Sequence, residues 1–351
     1  MIKLHDIELA RDKLKHQLSR TPLLVAKSLS NDAREVRLKL ETEQPIGAFK
    51  IRGASNAISN LNAEQLARGV VCASTGNHGR ALAFAANKVG AKATVCMSSL
   101  VPENKIRAIA ELGADICIHG NSQDQAQEKV DELLRDQGMT EIPPFDHADI
   151  IAGQGTIGLE ILEDWPDVDT LIIGLSGGGL ISGIALVAKS INKNIRVIGV
   201  SPKNCAAMAA SLKANKPVEI EEKESIADSL GGGIGLNNRY TFELVRKLVD
   251  DVVLLEEKQI EAAIAHLYLE ENLVTEGAGA AGVSLLLEDA LSHQLQKPLG
   301  QRIAVVISGG NIDEKQLKKI VKKTPPHLCG LLSVNSTIQT LENSRLLMCE
   351  L

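Results

Sequence analysis

The chain has 351 residues, of which 44% are hydrophobic, 23% charged and only 2% aromatic. This length and composition predict a globular protein with a largely aliphatic core and room for two domains. The net charge of -6 is spread along the chain without a basic block, so we expect no nucleic-acid partner.

The N-terminal part of the chain predicts an opening helix and then a strand–turn–helix unit. The opening helix lies within residues 1–35, and an alternating run from Val36 to Glu41 predicts the first strand. A turn that contains a lysine follows, and residues 51–60 can form a helix. The polar stretch from Asn60 to Arg68 is typical of a surface connection.

Strands and helices alternate strictly from about residue 66 to residue 148. The predicted elements are strand 70–74, helix 76–89, strand 93–97, helix 102–112, strand 114–118 and helix 122–137. Pro102 suits the first turn of its helix, and Ser122 is the expected N-cap of the last one. Such repetition predicts a parallel sheet with right-handed crossovers.

A second series begins near residue 151. Its predicted elements are helix 154–164, strand 170–175, helix 179–191, strands 196–200 and 251–255, helices 257–270 and 279–288, strand 303–307 and a helix from residue 313. We expect an α/β fold with two domains, each a mostly parallel sheet flanked by helices. The larger domain comprises residues 1–62 and 151–325, the smaller residues 66–148, and residues 326–351 form a tail.

The cysteines and the N-terminus bear on the cell compartment. Six cysteines occur without CxxC spacing, at positions 72, 96, 117, 205, 329 and 349. Residues 1–20 lack the apolar core of a signal peptide, and no apolar run reaches membrane-spanning length. These features predict a cytoplasmic protein with no disulfide, no metal site and no membrane partner.

The segment from Pro45 to Ala54 places Lys50 between the first strand and the following helix. Active-site groups often lie at such turns, and a lysine in a partly apolar setting can lose its proton and form an imine with an aldehyde. A surface lysine at the start of a helix would have the same local pattern. Lys50 is therefore a candidate nucleophile whose role depends on other segments.

Two further segments join a buried strand to a helix. Residues 74–79 expose backbone N–H groups that can bind a carboxylate, and Asn77 can donate to a phenolate oxygen, although a simple helix cap is the alternative. Residues 176–180 contain three glycines, so their backbone can wrap around a phosphate. A structural glycine turn is the alternative there.

The second of these segments also matches a nucleophile elbow. Residues 174–178 follow the G-x-S-x-G pattern, so a serine hydrolase with Ser176, a later aspartate and His266 or His293 is a competing interpretation. A dinucleotide site fits less well, because the G-x-G-x-x-G spacing is missing and the next strand ends in Ser201 and not in an acid.

Two segments are weak signals when taken alone. Residues 308–311 follow the last predicted strand and indicate only a turn. Glu276 lies where a helix N-terminus favours an acid.

Together, a reactive lysine, an asparagine loop, a glycine loop and a strand-end serine are typical of pyridoxal-phosphate sites. From about Arg20 to Asn311 the chain resembles the fold-type II pyridoxal-phosphate enzymes, in the branch of serine/threonine dehydratases (ammonia-lyases). The matching segments are residues 47–54, 74–78, 102, 104–106, 153–156, 176–180, 226–228 and 308–311. In this order they form a highly specific set.

The resemblance implies roles for individual residues. Lys50 is expected to bind the cofactor aldehyde and later to act on the Cα proton of the substrate. The other expected cofactor contacts are Phe49, Asn77, Ser176, Gly177, Gly178, Gly179, Leu180, Glu276 and Ser308, the last at the pyridine nitrogen. The residues expected to receive the substrate carboxylate are Ser74, Thr75, Gly76, Asn77 and His78.

A serine at the pyridine nitrogen has a chemical consequence. The neutral hydroxyl of Ser308 would not keep the ring nitrogen protonated as a carboxylate would, so the ring would be a weaker electron sink. Prompt loss of a β-hydroxyl is then favoured over transamination. We expect elimination of water from a β-hydroxy amino acid, which gives a 2-keto acid and ammonia.

Some residues depart from the family pattern near the expected substrate. Thr75 stands where threonine-degrading relatives usually have alanine and racemases have a catalytic serine, so Thr75 is a second candidate catalytic residue. An amino-acid racemase, a hydroxyaspartate dehydratase and a non-catalytic cofactor-binding protein are alternatives. Residues 72–80, 175–180 and 228–235 most resemble the dehydratases of hydroxyectoine utilisation. The resemblance also implies a homodimer.

Overall fold

The computed structural model describes residues 2–221, 223–287 and 289–323. Up to residue 141 the elements are α1 (Leu4–Leu14), β1 (Leu23–Val25), β2 (Glu35–Leu40), α2 (Lys50–Ser59), α3 (Ala63–Arg68), β3 (Val70–Ala73), α4 (Asn77–Lys88), β4 (Ala93–Met97), α5 (Glu103–Ala110), β5 (Asp115–Ile118), α6 (Gln123–Gln137) and β6 (Thr140–Glu141).

From residue 148 onward the elements are α7 (Ala148–Asp164), β7 (Thr170–Gly174), α8 (Gly179–Ile191), β8 (Arg196–Pro202), α9 (Ala207–Ala214), α10 (Thr241–Leu248), β9 (Asp251–Leu255), α11 (Glu257–Glu270), α12 (Gly277–Leu287), β10 (Arg302–Ile307) and α13 (Glu314–Lys323). Short 3-10 turns cover Glu41–Glu43, Lys203–Cys205, Asp228–Leu230 and Asp289–Gln294.

The larger sheet has six strands in the order β1-β2-β10-β7-β8-β9. Neighbouring strands run parallel, apart from the antiparallel edge pair of β1 and β2. Ile303 of β10 pairs with Val36 of β2 on one side and with Thr170 of β7 on the other. Helices α11, α12 and α13 share one apolar core with this sheet, and α1, α7, α8 and α10 share another.

The smaller sheet has four parallel strands in the order β5-β4-β3-β6. Helices α2, α4 and α5 contribute to the core on one face, and α6 packs on the other. Strands buried between helices carry apolar side chains on both faces, which is why they are visible as continuous apolar runs in the sequence. The predicted α/β fold with parallel sheets flanked by helices is confirmed.

Helix α2 lies between the two sheets. Its residues Ile51 and Ile58 pack in the core of the smaller sheet. On the opposite side α2 approaches α7 so closely that a Cβ atom on Gly153 would lie 2.6 Å from the carbonyl oxygen of Arg52. Gly153 therefore permits a contact between two helix backbones that a larger residue would prevent.

The structure corrects the description of residues 60–68, which were predicted as a surface connection and contain helix α3. The side chain of Asn62 accepts a hydrogen bond from the N–H of Gln65 at 2.9 Å. The side chain of Gln65 accepts one from the N–H of Asn62 at 3.0 Å. This capping box starts a helix despite the polar composition.

Two helix starts were predicted from single residues. Pro102 is the N-cap of α5 and not part of its first turn, because the helix begins at Glu103. Ser122 is confirmed as the N-cap of α6, since its side chain accepts a hydrogen bond from the N–H of Gln125 at 3.2 Å. Strand β1 and helices α9 and α10 were not predicted.

Some predictions about chain organisation stay predictions. The division into a domain of residues 1–62 and 151–325 and a domain of residues 66–148 is one of them, and the predicted tail, residues 326–351, lies outside the described residues. In the described part of the chain, none of the helices is both long enough and apolar enough to cross a membrane.

Candidate active site

Two segments that are distant in sequence meet where β10 ends. The N–H of Phe49 donates a hydrogen bond of 3.0 Å to the carbonyl of Ser308, and Ala48 forms an antiparallel bridge with Gly309. Ser308 itself is buried. The structure thus brings together the segment that contains Lys50 and the strand-end serine, as one hydrogen-bonded unit.

Lys50 is the first residue of α2, and its side chain is partly buried. Nζ donates a 2.7 Å hydrogen bond to the carbonyl of Pro144 and lies 5.4 Å from the ring centre of Phe49. Burial lowers the pKa of Lys50 to about 8, although Cys72 and Glu276 oppose this shift. A lysine with this pKa holds much more neutral, nucleophilic amine near neutral pH than an exposed lysine does.

Asn77, Glu276 and Asn311 form a chain of hydrogen bonds at the same site. Asn77 Nδ2 donates to Glu276 Oε1 at 2.7 Å, and Asn311 Nδ2 donates to Asn77 Oδ1, also at 2.7 Å. Both ends of the Asn77 amide are therefore fixed. One N–H of Nδ2 remains for a further acceptor, because a primary amide has two.

The Glu276 carboxyl group is buried, and its environment favours the protonated form. Burial raises the pKa of Glu276 to about 7, and the nearby charge of Asp228 adds to the effect, while the bond from Asn77 opposes it. A Cβ atom on Gly309 would lie 2.5 Å from Glu276 Oε1. Gly309 therefore leaves the space in which this carboxyl group lies.

The loop before α4 has an open side. The hydroxyl oxygen of Ser74 accepts hydrogen bonds from the N–H groups of Gly79 at 3.0 Å and Gly76 at 3.4 Å. The Ser74 hydroxyl hydrogen stays available as a donor. A Cβ atom on Gly76 would meet nothing within 4 Å, and Thr75 is partly exposed next to it. Free space beside these groups is what a bound substrate carboxylate requires.

The side chain of His78 points into the protein. Its Nε2 must carry a hydrogen, because it lies 2.7 Å from the carbonyl oxygen of Ile142, and its buried Nδ1 has no hydrogen-bond partner among the described residues. Burial and the charge of Lys50 lower the pKa of His78 to about 3. The imidazole of His78 is therefore uncharged at neutral pH, so it is not a general acid, although it lies near Lys50.

The glycine loop lies at the N-terminus of α8, which begins at Gly179. Gly178 has a φ of +88°, a backbone conformation that side-chain-bearing residues rarely adopt. A Cβ atom on Gly177 would collide with the ring of Phe145. The unpaired N–H groups at the start of α8 and the small residues before it form a cradle for an anion.

These groups fit pyridoxal phosphate, the cofactor that the sequence resemblance implies. The site has an amine of lowered pKa, a buried Ser308 hydroxyl and a glycine loop in which a Cβ atom on Gly177, Gly178 or Gly179 would lie no more than 3.0 Å from a neighbouring protein atom. The fixed amide of Asn77 can donate to the phenolic oxygen. Leu180 follows the cradle in the first turn of α8 and is buried.

The contacts of Ser176 do not match those of a hydrolase nucleophile. Its hydroxyl donates to the carbonyl of Gly231 at 3.1 Å, whereas His266 Nε2 lies 2.8 Å from the hydroxyl oxygen of Ser28. His293 belongs to the 3-10 turn Asp289–Gln294. The described contacts therefore do not join Ser176 to His266 in the way that a catalytic triad requires.

Pro144 and Phe145 also contact the site, although no sequence pattern predicted a role for them. The first accepts the hydrogen bond from Lys50, and the second packs against the glycine loop. The sequence feature that could have drawn attention to Phe145 is its position directly after two prolines, in a chain that has four phenylalanines. Separately, the described residues contain no group of three or more His, Cys, Asp or Glu side chains that could hold a metal ion.

The cysteines add no chemistry to the site. Cys72, Cys96 and Cys205 are buried and Cys117 is partly buried, and none of these four described cysteines forms a disulfide. Burial raises the pKa of Cys96 to about 12, with its neighbour Cys117 adding to the shift, so the thiol form predominates. The other two cysteines, at positions 329 and 349, lie outside the described residues.

Comparison with known proteins covers most of the chain. The model of the family described as "Pyridoxal-phosphate dependent enzyme" matches residues 14–309. A protein of Sinorhizobium fredii with the provisional name threonine dehydratase is 50% identical over 313 residues, which are 89% of this chain and 93% of that protein. An L-threonine ammonia-lyase of Thermotoga maritima is 41% identical over 92% of this chain and 79% of that protein.

A solved structure of a related protein has the same fold. The structure of maize serine racemase superposes with a TM-score of 0.84 at 34% identity, over 92% of this chain and 97% of that chain. Both chemistries that occur among these relatives, elimination and racemisation, start from a small amino acid.

Proposed function

Because the chain belongs to the family of pyridoxal-phosphate dependent enzymes, and to its lyases of the threonine dehydratase type, we propose that it eliminates water from a hydroxylated, ectoine-derived amino acid. The products are a 2-keto acid and ammonia. The observation that carries the lyase chemistry is the Lys50 amine of lowered pKa, in a segment whose backbone is hydrogen-bonded to Ser308 through Phe49. The narrower substrate rests on sequence resemblance.

The chemistry divides between the cofactor and the chain. When bound, pyridoxal phosphate supplies the electron sink that makes the Cα proton of an amino acid acidic. Lys50 Nζ binds the cofactor and then receives that proton. The backbone N–H groups of residues 176–180 would hold the phosphate, and the hydroxyl of Ser308 would meet the ring nitrogen without forcing it to be protonated.

The substrate is held by the loop before α4. The N–H groups around Gly76 and the hydroxyl hydrogen of Ser74 bind the α-carboxylate, since the oxygen of Ser74 already accepts from two backbone groups. Thr75 adds a second hydroxyl on the partly exposed side. Asn77 donates its free N–H to the phenolic oxygen, in an orientation fixed by Glu276 and Asn311.

Three departures from the pattern of threonine-degrading relatives argue against L-threonine as the substrate. Thr75, Ser229 and Gly277 replace residues that those relatives usually have near the substrate. Residues 228–231, which include Ser229, also contact the glycine loop through the Ser176–Gly231 hydrogen bond. A change at these positions can therefore alter the glycine loop as well as the substrate pocket.

A racemase is the second candidate function. It is favoured by the likeness to maize serine racemase and by the hydroxyl of Thr75 at the position of a catalytic serine. A cytoplasmic location remains a prediction from the cysteines and the N-terminus, and a homodimer remains a prediction from the family resemblance.

A substrate panel tests the proposal. Ammonia and 2-keto acid are measured with L-threonine, L-serine, 3-hydroxyaspartate and hydroxylated diaminobutyrate derivatives, and the amino-acid enantiomers are separated in parallel. We expect the highest kcat/KM with a hydroxylated diaminobutyrate derivative. A clear preference for L-threonine or 3-hydroxyaspartate refutes the ectoine-derived substrate and leaves the lyase. D-serine formed without ammonia indicates a racemase.

A further inference from the structure

We propose that a buried ion-pair cluster around Arg52 positions Lys50, so that Arg52 is a positioning residue for the lysine. The cluster consists of Arg52, Glu41, Glu160, Lys39 and Thr21. The function proposed above gives none of these five residues a role. The inference rests on that function, because it concerns the residue that binds the cofactor.

Arg52 holds two carboxylates by paired hydrogen bonds. Nε and Nη2 donate to the two oxygens of Glu41, both at 2.8 Å, while Nη1 and Nη2 donate to those of Glu160 at 2.6 and 2.9 Å. The side chain of Arg52 is only 3% exposed. Burial alone would lower the pKa of Arg52, but Glu41 and Glu160 outweigh it and raise the pKa. The guanidinium group therefore stays charged.

Lys39 and Thr21 complete the cluster. Lys39 Nζ donates to Glu160 Oε2 at 2.6 Å and to the carbonyl of Thr21 at 2.7 Å. The hydroxyl of Thr21 donates to Glu41 Oε1 at 2.6 Å. The charges of the two cations balance those of the two carboxylates, and each charged group has hydrogen-bond partners. These are the conditions under which charged groups can be buried.

The cluster fixes the first turn of α2 to the elements of the larger sheet. Arg52 lies two residues after Lys50 in this turn, Lys39 belongs to β2, and Glu160 belongs to α7. Any rotation or shift of α2 has to break these bonds. The Lys50 amine, which lies 2.7 Å from the carbonyl of Pro144, would move with the helix.

Stability alone does not account for such a cluster. Buried charges lose their hydration, and apolar side chains of similar volume are often as stable or more stable in their place. Paired hydrogen bonds from a planar guanidinium do, however, fix the position and the angle of the arginine side chain relative to its carboxylate partners. The ammonium group of a lysine at the same site could not do so. Geometry matters at a reacting group, since a misplacement of about 1 Å can lower a rate by about 10²-fold.

The test compares variants of the full chain. Arg52→Lys keeps the charge and loses the paired hydrogen bonds. The double variant R52M/E41L removes one cation and one carboxylate, which leaves the Lys39–Glu160 pair intact and the cluster neutral. Arg68→Lys is the matched control, because Arg68 pairs with Glu64 at the surface. Each cofactor-free protein is mixed with pyridoxal phosphate, and the rate at which the visible absorption band grows is followed against pH, together with Tm.

We expect both variants at position 52 to attach the cofactor about 10²-fold more slowly than the wild type, and Arg68→Lys to match the wild type. We also expect R52M/E41L to keep a wild-type Tm, which separates position from stability. The inference is overturned if the variants at position 52 attach the cofactor at the wild-type rate and pH dependence, whatever their Tm. If only one of Arg52→Lys and R52M/E41L folds, the rate measured for that variant decides. If neither variant folds, the cluster serves stability and the inference is wrong. A wild-type protein that attaches no cofactor contradicts the proposed function instead.

Discussion

Asn77 and Glu276 are 199 residues apart in the chain, yet a 2.7 Å hydrogen bond joins Asn77 Nδ2 to Glu276 Oε1. Asn77 lies at the start of α4 beside the smaller sheet, and Glu276 directly precedes α12 beside the larger one. The bond therefore connects the two sheets at the site. It also orients an amide that we expect at the phenolic oxygen of the cofactor.

Replacing Asn77 with Asp removes the N–H donor and places a second carboxylate beside Glu276. A buried group that loses its partner costs about 1–3 kcal/mol, so we expect cofactor binding at least about tenfold weaker. Titration of cofactor-free protein with pyridoxal phosphate measures this. Asn87→Asp, in an exposed position of the same helix, is the control. Equal affinity in the two variants would contradict a role for Asn77.

Replacing Glu276 with Gln changes how stability depends on pH. The folded protein raises the pKa of Glu276 from its ordinary value of 4.5 to about 7, so between these pH values the folded state binds a proton that the unfolded chain has lost. Stability of the wild type therefore falls as pH rises through this window. The glutamine side chain of the variant cannot ionise, and its oxygen can still accept from Asn77.

We expect the Glu276→Gln variant to be more stable than the wild type at pH 8, by up to about 3 kcal/mol, and the difference to shrink toward pH 5. Calorimetry of cofactor-free protein at the two pH values checks this. The control is Glu64→Gln, whose side chain is 76% exposed. A difference that grows on acidification would show that burial does not favour the protonated carboxyl.

Replacing Lys50 with Ala removes the amine that binds the cofactor. We expect the visible absorption band to vanish and the lyase rate to fall by at least about 10²-fold, the range for a lost acid–base group. Borohydride reduction and peptide mapping of the wild type identify the attachment site. Lys92→Ala is the control, since Lys92 pairs with Asp115 at the surface. If the reduced cofactor is found on another lysine, the assignment of Lys50 as the attachment site is wrong.

Attachment of the cofactor depends on pH through the same amine. Only neutral Lys50 is nucleophilic, and burial lowers its pKa to about 8. The second-order rate of attachment should therefore rise about tenfold for each pH unit below 8 and level off above it. Stopped-flow absorbance gives the profile. If the rate levelled off only near the ordinary lysine value, the amine would not be desolvated in the way that the structure indicates.

Replacing Gly177 with Ala places a methyl group against the ring of Phe145. The loop or the ring has to shift, so we expect the affinity for pyridoxal phosphate to fall at least about tenfold. Gly90→Ala is the control. Gly90 has a φ of +69° with open space around it, so this change strains the backbone by about 1–2 kcal/mol away from the site. We expect a lower Tm for both variants and a lower affinity for pyridoxal phosphate only for Gly177→Ala.

The sequence predicted most of the elements that carry the site. Buried parallel strands such as β7 and β10 are visible as apolar runs, and the glycine and serine segments follow them directly. Helix α3 was missed because its polar residues lack an apolar face, although the Asn62–Gln65 capping box was a local signal. Strand β1, with three residues, is too short for a periodicity to show.

Partners within the site could not be predicted, since they are set by tertiary contacts. Nothing local indicates that Asn311 donates to Asn77 or that Arg52 binds Glu160, 108 residues away. The resemblance supplied expected roles for single residues. The pKa shifts of Lys50 and Glu276 depend on burial, which only the folded chain creates.

The pairing of β2 with β10 has a consequence for biosynthesis. Val36 needs Ile303 beside it, so a ribosome must translate almost the whole described chain before the larger sheet can close. The smaller sheet, whose strands all lie between residues 70 and 141, can assemble much earlier. In a nascent polypeptide Lys50 is thus made many seconds before Ser308, and its amine keeps an ordinary lysine pKa until the chain folds around it.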